Sequence, residues 1–256
     1  MAAVGSAMPA AQAPNNPAAR PRPNPAPGGG CPAVWTEISR ALTPLFVDSS
    51  GQCTGLARAA VRAVFHDCGV WSSPQGNTGG CDGSVFLSTE ELNRQANRGL
   101  QGLSPVLTGL AAQFQVGMAD LVAFAGSHAT VSCPLGPTVR TLIGRRDSAN
   151  PAPDPLLLPS NPTLPAAQIL SIMADKGFSA ADTAALVGAH SISRQQTVDA
   201  SRAGTPQDST PGIADVAFYN QTLNPPTNIL VFPSDRNLAT DPATSPTWNS
   251  FVGSQE

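Results

Sequence analysis

Helical periodicity constrains this chain more than any other feature. From Cys31 onward, apolar residues recur at spacings of three and four, the mark of helices with one buried face. The stretches "CPAVWTEISRALTPLF", "TGLARAAVRAVFHDC", "ADLVAFAGSHATVSC", "LPAAQILSIMADKGF" and "SAADTAALVGAHSIS" all carry it. Several ends are marked too. Thr54 stands where an N-cap belongs, Ser88/Glu91 and Ser179/Asp182 fall in capping-box register, and Gly177 suits a helix C-terminus. Alternating patterns are nearly absent, and "NILVF" (228–232) is the one strand candidate. The fold class is therefore mainly α with minimal β. Long Gly/Pro/Asn-rich connections run through 72–83, 147–165 and 203–212, and no repeat is visible.

The 256 residues suffice for one good-sized core or two small ones. Residues 1–30, "MAAVGSAMPAAQAPNNPAARPRPNPAPGGG", offer almost nothing to bury and read as a disordered arm ahead of a domain at 31–256. The arm lacks the basic start and long apolar centre of a secretion signal. Charged residues make up 12% of the chain, Lys176 is the only lysine and the arginines are scattered, which argues against a nucleic-acid partner. No apolar run is long enough to span a bilayer. The five cysteines, Cys31, Cys53, Cys68, Cys81 and Cys133, form no CxxC pair, so a zinc ribbon or thioredoxin-like motif is disfavoured. Buried thiols and bridges made in an oxidising compartment stay equally open, and an odd count leaves one cysteine over.

Two of the three histidines sit in telling places. In "AAVRAVFHDCGV", Arg62 lies four residues before His66, so both side chains share a helix face. A guanidinium there costs the imidazole basicity, and such a cost calls for a purpose. In "AALVGAHSISR", His190 ends an apolar helix, and the small Gly188 and Ala189 before it would let something flat approach. A lone histidine is more often a satisfied helix-end residue. A pair on two apolar helices, one with an arginine and one without, suggests a metal ligand facing a proton carrier. Haem fits that division of labour. Two loops carry oxygen groups at tight spacing, "GGCDGS" and "DSTPGIAD". A hard cation and ordinary turn chemistry both remain open there, and spacing alone favours the turns.

The motifs "RAVFHD" and "ALVGAHS", with "GGCDGS" after the first and "DSTPGIADVAFYNQTL" after the second, resemble the plant–fungal–bacterial haem peroxidase superfamily. The likeness is nearest to the secreted fungal class II (ligninase-type) enzymes and runs from about Cys31 to the end. It implies about ten helices in two halves sandwiching a haem b, with two calcium ions ordering the long loops. It also implies a secreted, monomeric enzyme that reduces hydrogen peroxide and oxidises small phenolic or aromatic donors. The attached biology is a response to oxidative stress or lignin-related catabolism, with no nucleic-acid or membrane partner.

By this resemblance His190 is the proximal iron ligand, and Asp235, in "FPSDRNL", accepts its ring N–H. His66 acts on peroxide as base and then acid, Arg62 stabilises the charge that develops as the O–O bond breaks, Asn97 holds the other nitrogen of His66, and Phe65 packs in the distal pocket. Asp67, Gly80, Asp82 and Ser84 would hold a distal calcium. Ser191, Asp208, Thr210, Ile213 (through its carbonyl) and Asp215 would hold a proximal one. The implied disulfides are Cys53–Cys133 and Cys68–Cys81. Cys31 ordinarily pairs near the carboxyl terminus of such proteins, so with the chain stopping at Glu256 either a tail is missing or Cys31 is free.

The departures narrow the expected donors. Where manganese-oxidising members carry acids, this chain has Gly55, Ala59 and Gln196, and where lignin-type members carry a surface tryptophan it has Ala185. Neither a manganese site nor electron transfer through that tryptophan is expected. Gln207 replaces an aromatic residue usual beneath the proximal histidine. Trp35, Trp71, Trp248 and Tyr219 read as packing residues, and His128 as a surface or structural one. Two rival readings are a catalytically impaired member that binds haem and calcium, and a secreted calcium-stabilised binding protein without haem.

Overall fold

Eleven α-helices and no strand make up the regular structure among the described residues, which in this computed structural model are 31–76, 79–153, 159 and 161–254. The expected arm at 1–30 lies outside them. The helices are α1 (Val34–Phe46), α2 (Gly55–Cys68), α3 (Ser84–Leu87), α4 (Thr89–Leu92), α5 (Ser104–Phe114) and α6 (Met118–Ser132). The later ones are α7 (Ala166–Asp175), α8 (Ala180–Leu186), α9 (Ala217–Leu223), α10 (Pro233–Thr240) and α11 (Ser245–Phe251).

The apolar faces assemble into two main cores, one per half. Ile38, Leu42 and Phe46 of α1 meet Ala57, Ala60 and Ala63 of α2, Leu107 of α5, and Leu121, Val122 and Ala125 of α6. The alanines on α2 let α6 come close. Gly126 lies directly against Val64, and a Cβ there would stand 3.0 Å from the Ala60 carbonyl oxygen. The second core gathers Ile169 and Met173 of α7, Phe218 and Tyr219 of α9, Leu238 of α10 and Trp248 of α11. No single helix among the described residues is long and apolar enough to cross a membrane.

Local signals held in most places. The Thr54 side chain accepts from the Ala57 amide at 3.3 Å and fixes the start of α2, a cap worth about 1 kcal/mol. Ser179 and Asp182 close a reciprocal capping box on α8, and Gly177 ends the turn after α7 with φ +88°. Ser88 caps α4, but Glu91 does not complete the box. Its carboxylate is buried and accepts from the Ala152 amide at 2.8 Å. The strand expected at 228–232 is not formed. Ile229 and Leu230 are buried and Leu230 N donates to Pro206 O, but no second strand lies alongside, so the run is apolar for burial and not for a ladder. His190 is not on a regular helix either, because α8 stops at Leu186 and continues as a 3-10 turn over Val187–Ile192.

Carboxylates order the long connections. Asp147 accepts from the Met118 and Ala119 amides at 2.9 Å each, capping α6 from the following loop. Asp120 accepts from Gly144 N and Arg145 N at 2.8 and 2.9 Å. Disulfides Cys53–Cys133 and Cys68–Cys81 close loops of 80 and 13 residues, and Cys31 is unpaired and exposed. The longer one ties the start of α2 to the end of α6, worth about 4 kcal/mol by loop-closure entropy. Trp35 and Trp248 are core residues as expected, whereas Trp71 is exposed.

Candidate active site

His66 sits in the last turn of α2, its ring held by two other residues. Arg62 Nε donates to His66 Nε2 at 3.1 Å, and His66 Nδ1 lies 2.7 Å from Asn97 Oδ1. Asn97 Nδ2 donates to the Glu91 carbonyl at 2.7 Å, so its oxygen faces the ring. The tautomer follows: Nδ1 carries the proton and Nε2 keeps its lone pair. Burial, and then the Arg62 charge, push the His66 pKa down to about 3, while the Asn97 hydrogen bond acts in the opposite direction. Arg62 is itself fixed, donating to Arg98 O and Ala96 O at 2.7 and 2.6 Å. Phe65 stands edge-on to the His66 ring and is 40% exposed, a large apolar face left uncovered.

On the second half, His190 Nδ1 lies 3.1 and 3.0 Å from the two oxygens of Asp235. Phe218 and Phe232 flank the ring edge-on. Burial lowers the pKa of His190, but the charge and hydrogen bond of Asp235 outweigh it and the net direction is up. The charge of Arg62 also reaches His190 and acts to lower its pKa. The His190 ring is 35% exposed and its Nε2 makes no hydrogen bond among the described residues. That nitrogen is free for a metal. Leu186, one turn earlier, is exposed as well. A flat apolar group bearing a metal suits these uncovered faces and this imidazole. The smallness of Gly188 serves another end, however: Tyr219 Oη packs where its Cβ would be, donating to Ala184 O and Ala185 O at 3.0 and 3.1 Å.

Hydrogen bonds tie the first oxygen-rich loop to Asp67, beside His66, and Gln207, just before the second, to Ser193 and Asp235, near His190. Asp67 accepts from Gly83 N at 3.0 Å and Val85 N at 3.4 Å, and Asp82 accepts from Ser84 N at 3.1 Å. Gly80, with φ +97°, brings the loop against Trp71. In the other loop Asp208 accepts from Thr210 N at 2.9 Å, Thr210 Oγ1 donates to Asp215 at 2.7 Å, and Ile213 N donates to Thr210 O at 2.8 Å. Ser191, beside His190, is buried. Ser84 Oγ and Asp208 Oδ2 are buried with no partner, one orphaned oxygen in each loop. Burial, with neighbouring acids Asp82 and Glu91, raises Asp67 to about 7, and burial with Asp215 raises Asp208 to about 7. Uncompensated carboxylates beside orphaned oxygens fit a hard cation. No group of three or more His, Cys, Asp or Glu gathers anywhere among the described residues, so most other ligands would be hydroxyl and carbonyl oxygens.

Sequence reasoning missed Glu91 as a participant, and it flagged Gln207 without its partner. Glu91 supplies the carbonyl that orients Asn97 and holds a buried carboxylate oxygen without a partner. Its capping register points elsewhere. Gln207 donates to Asp235 at 3.0 Å. His128 is structural: it stacks on Phe124 and lies 3.0 Å from Thr43 Oγ1.

The molecule is thus an all-helical protein with two ordered histidines, a buried His66 held beside the Arg62 guanidinium and a His190 bound through Nδ1 to Asp235. The peroxidase family profile matches residues 40–254, and the chain belongs to that family. It is 39% identical to the low-redox potential peroxidase of Taiwanofungus camphoratus, over 70% of this chain and 59% of that one. It is 32% identical to a peroxidase of Coprinopsis cinerea, covering 90% of this chain and 73% of the relative. Ligninase H2 of Phanerodontia chrysosporium is 33% identical, over 80% and 61%. The chain therefore spans about three fifths of the length of the first of these.

Proposed function

We propose that the chain is a secreted haem peroxidase that reduces hydrogen peroxide and draws single electrons from small phenolic or aromatic donors. The observation that carries this reading is a His66 kept neutral and locked by Asn97 beside Arg62, together with a second histidine, His190, bound to Asp235. A haem b bound at His190 Nε2 would supply the iron that exchanges electrons with peroxide and donor. The rest falls to the protein. His66 Nε2 takes a proton from one peroxide oxygen and returns it to the other, which leaves as water. The peroxide enters where Arg62 Nε now meets the ring, and the guanidinium neutralises negative charge on the departing oxygen. Asn97 keeps the ring oriented and its lone pair inward. Asp235 holds the His190 proton and strengthens Nε2 as a donor.

Two calcium ions complete the proposal, one at Asp67, Gly80, Asp82 and Ser84, the other at Ser191, Asp208, Thr210, Ile213 and Asp215. Each would neutralise an acid adjoining or near a site histidine and engage an oxygen that otherwise stands alone. The disulfides support an oxidising, extracellular setting. Gly55, Ala59 and Gln196 offer no carboxylate for manganese, which favours organic donors. A haem-free binding protein would have no use for the His190–Asp235 pair. The test is steady-state oxidation of a simple phenol by peroxide: wild type should turn over, and His66→Ala should lose about 100-fold or more of the peroxide rate. Equal rates in the two would refute this role for His66.

A further inference from the structure

Asp235 has a second suitor besides His190. Gln207 is buried, and its Nε2 donates to Asp235 Oδ2 at 3.0 Å, the oxygen that lies 3.0 Å from His190 Nδ1. The amide cannot be turned round, because an ionised carboxylate only accepts, so Nε2 must face it. The amide oxygen then faces Ser193, whose hydroxyl donates to it. Ser193 itself adjoins the 3-10 turn that bears His190. A four-membered chain results, Ser193 to Gln207 to Asp235, with His190 on the far side.

We propose that Gln207 is a positioning residue that weakens the pull of Asp235 on His190, and so raises the reduction potential of the iron. This rests on the haem reading above. The carboxylate's charge is shared between two donors. The more of it Gln207 takes, the less remains to draw the Nδ1 proton and make the imidazole anionic. A less anionic imidazole donates less charge through Nε2 and favours the ferric state less. Ser193 sets the strength of this effect by holding the amide in place.

The haem-loaded Gln207→Met variant, of similar shape but with no donor, tests it. Its ferric/ferrous midpoint should fall by about 59 mV, a tenfold change in a one-electron equilibrium. The iron–histidine stretch of the reduced protein should rise in frequency. Ser193→Ala, which leaves the donor but frees its anchor, should shift both readings in the same direction by less, and it carries the test alone should the first variant fail to load haem. An unmoved midpoint and stretch in haem-loaded variants would make Gln207 a packing residue and overturn this inference alone. A wild-type protein that takes up no haem overturns the reading of the site and this inference with it.

Discussion

At the scale of single residues, the proposed role of His66 as a base rests on surroundings that refuse it a second proton. Burial and Arg62 hold its pKa near 3 against an ordinary 6.5, and Asn97 opposes them. The reaction with peroxide should therefore keep its rate from neutral pH down into strong acid, falling only as pH passes through about 3, read by stopped-flow at several pH values. A fall already complete at pH 5 would contradict this. The sign for stability follows from the same shift. The unfolded chain binds this proton more readily, so the contribution of His66 is complete above pH 6.5 and is lost as pH falls from there to about 3. Asn97→Val removes the group that favours proton uptake and should slow the reaction by about 10- to 100-fold with haem still bound. "RAVFHD" was legible in the sequence because an arginine four before a histidine must share its face. The partners of Gln207 and Glu91 were not, since packing decides which distant groups a buried side chain meets.

Among elements, the loops matter more than the helices. Periodicity and caps marked α1, α2, α4, α6, α7 and α8 but not α3, α5, α10 or α11, and where α8 gave way to a 3-10 turn, and where the run at 228–232 failed to pair, tertiary packing overrode local pattern. The acids that anchor the two loops give an unusual pH dependence. Asp67 and Asp208, both near 7 without metal, bind protons more readily folded than unfolded. Their contribution to the metal-free protein is therefore present at low pH and lost as pH rises through about 7. Calcium, which needs them ionised, should reverse that. The rise in melting temperature on adding calcium to chelator-treated protein should grow from pH 5 to pH 8. The difference between the two conditions removes the opposing trend from His66. A calcium shift that is constant or shrinks with pH would argue against these loops as cation sites.

For the molecule as a whole, length and composition left one core or two open, and the family resemblance supplied the two-part architecture that the two main apolar cores bear out. The uncovered faces at Phe65 and Leu186 and the free nitrogen of His190 suit the flat, metal-bearing group that the proposed function places between the halves. That claim is the centre of the account. Its most direct measurement is an absorption titration of the folded protein with haemin. Wild type should saturate at one equivalent with a sharp Soret band. His66→Ala should still bind, and His190→Ala should lose the band or shift it by changing the axial ligand. A folded wild-type protein that stays colourless, or a His190→Ala spectrum identical to wild type, would contradict it.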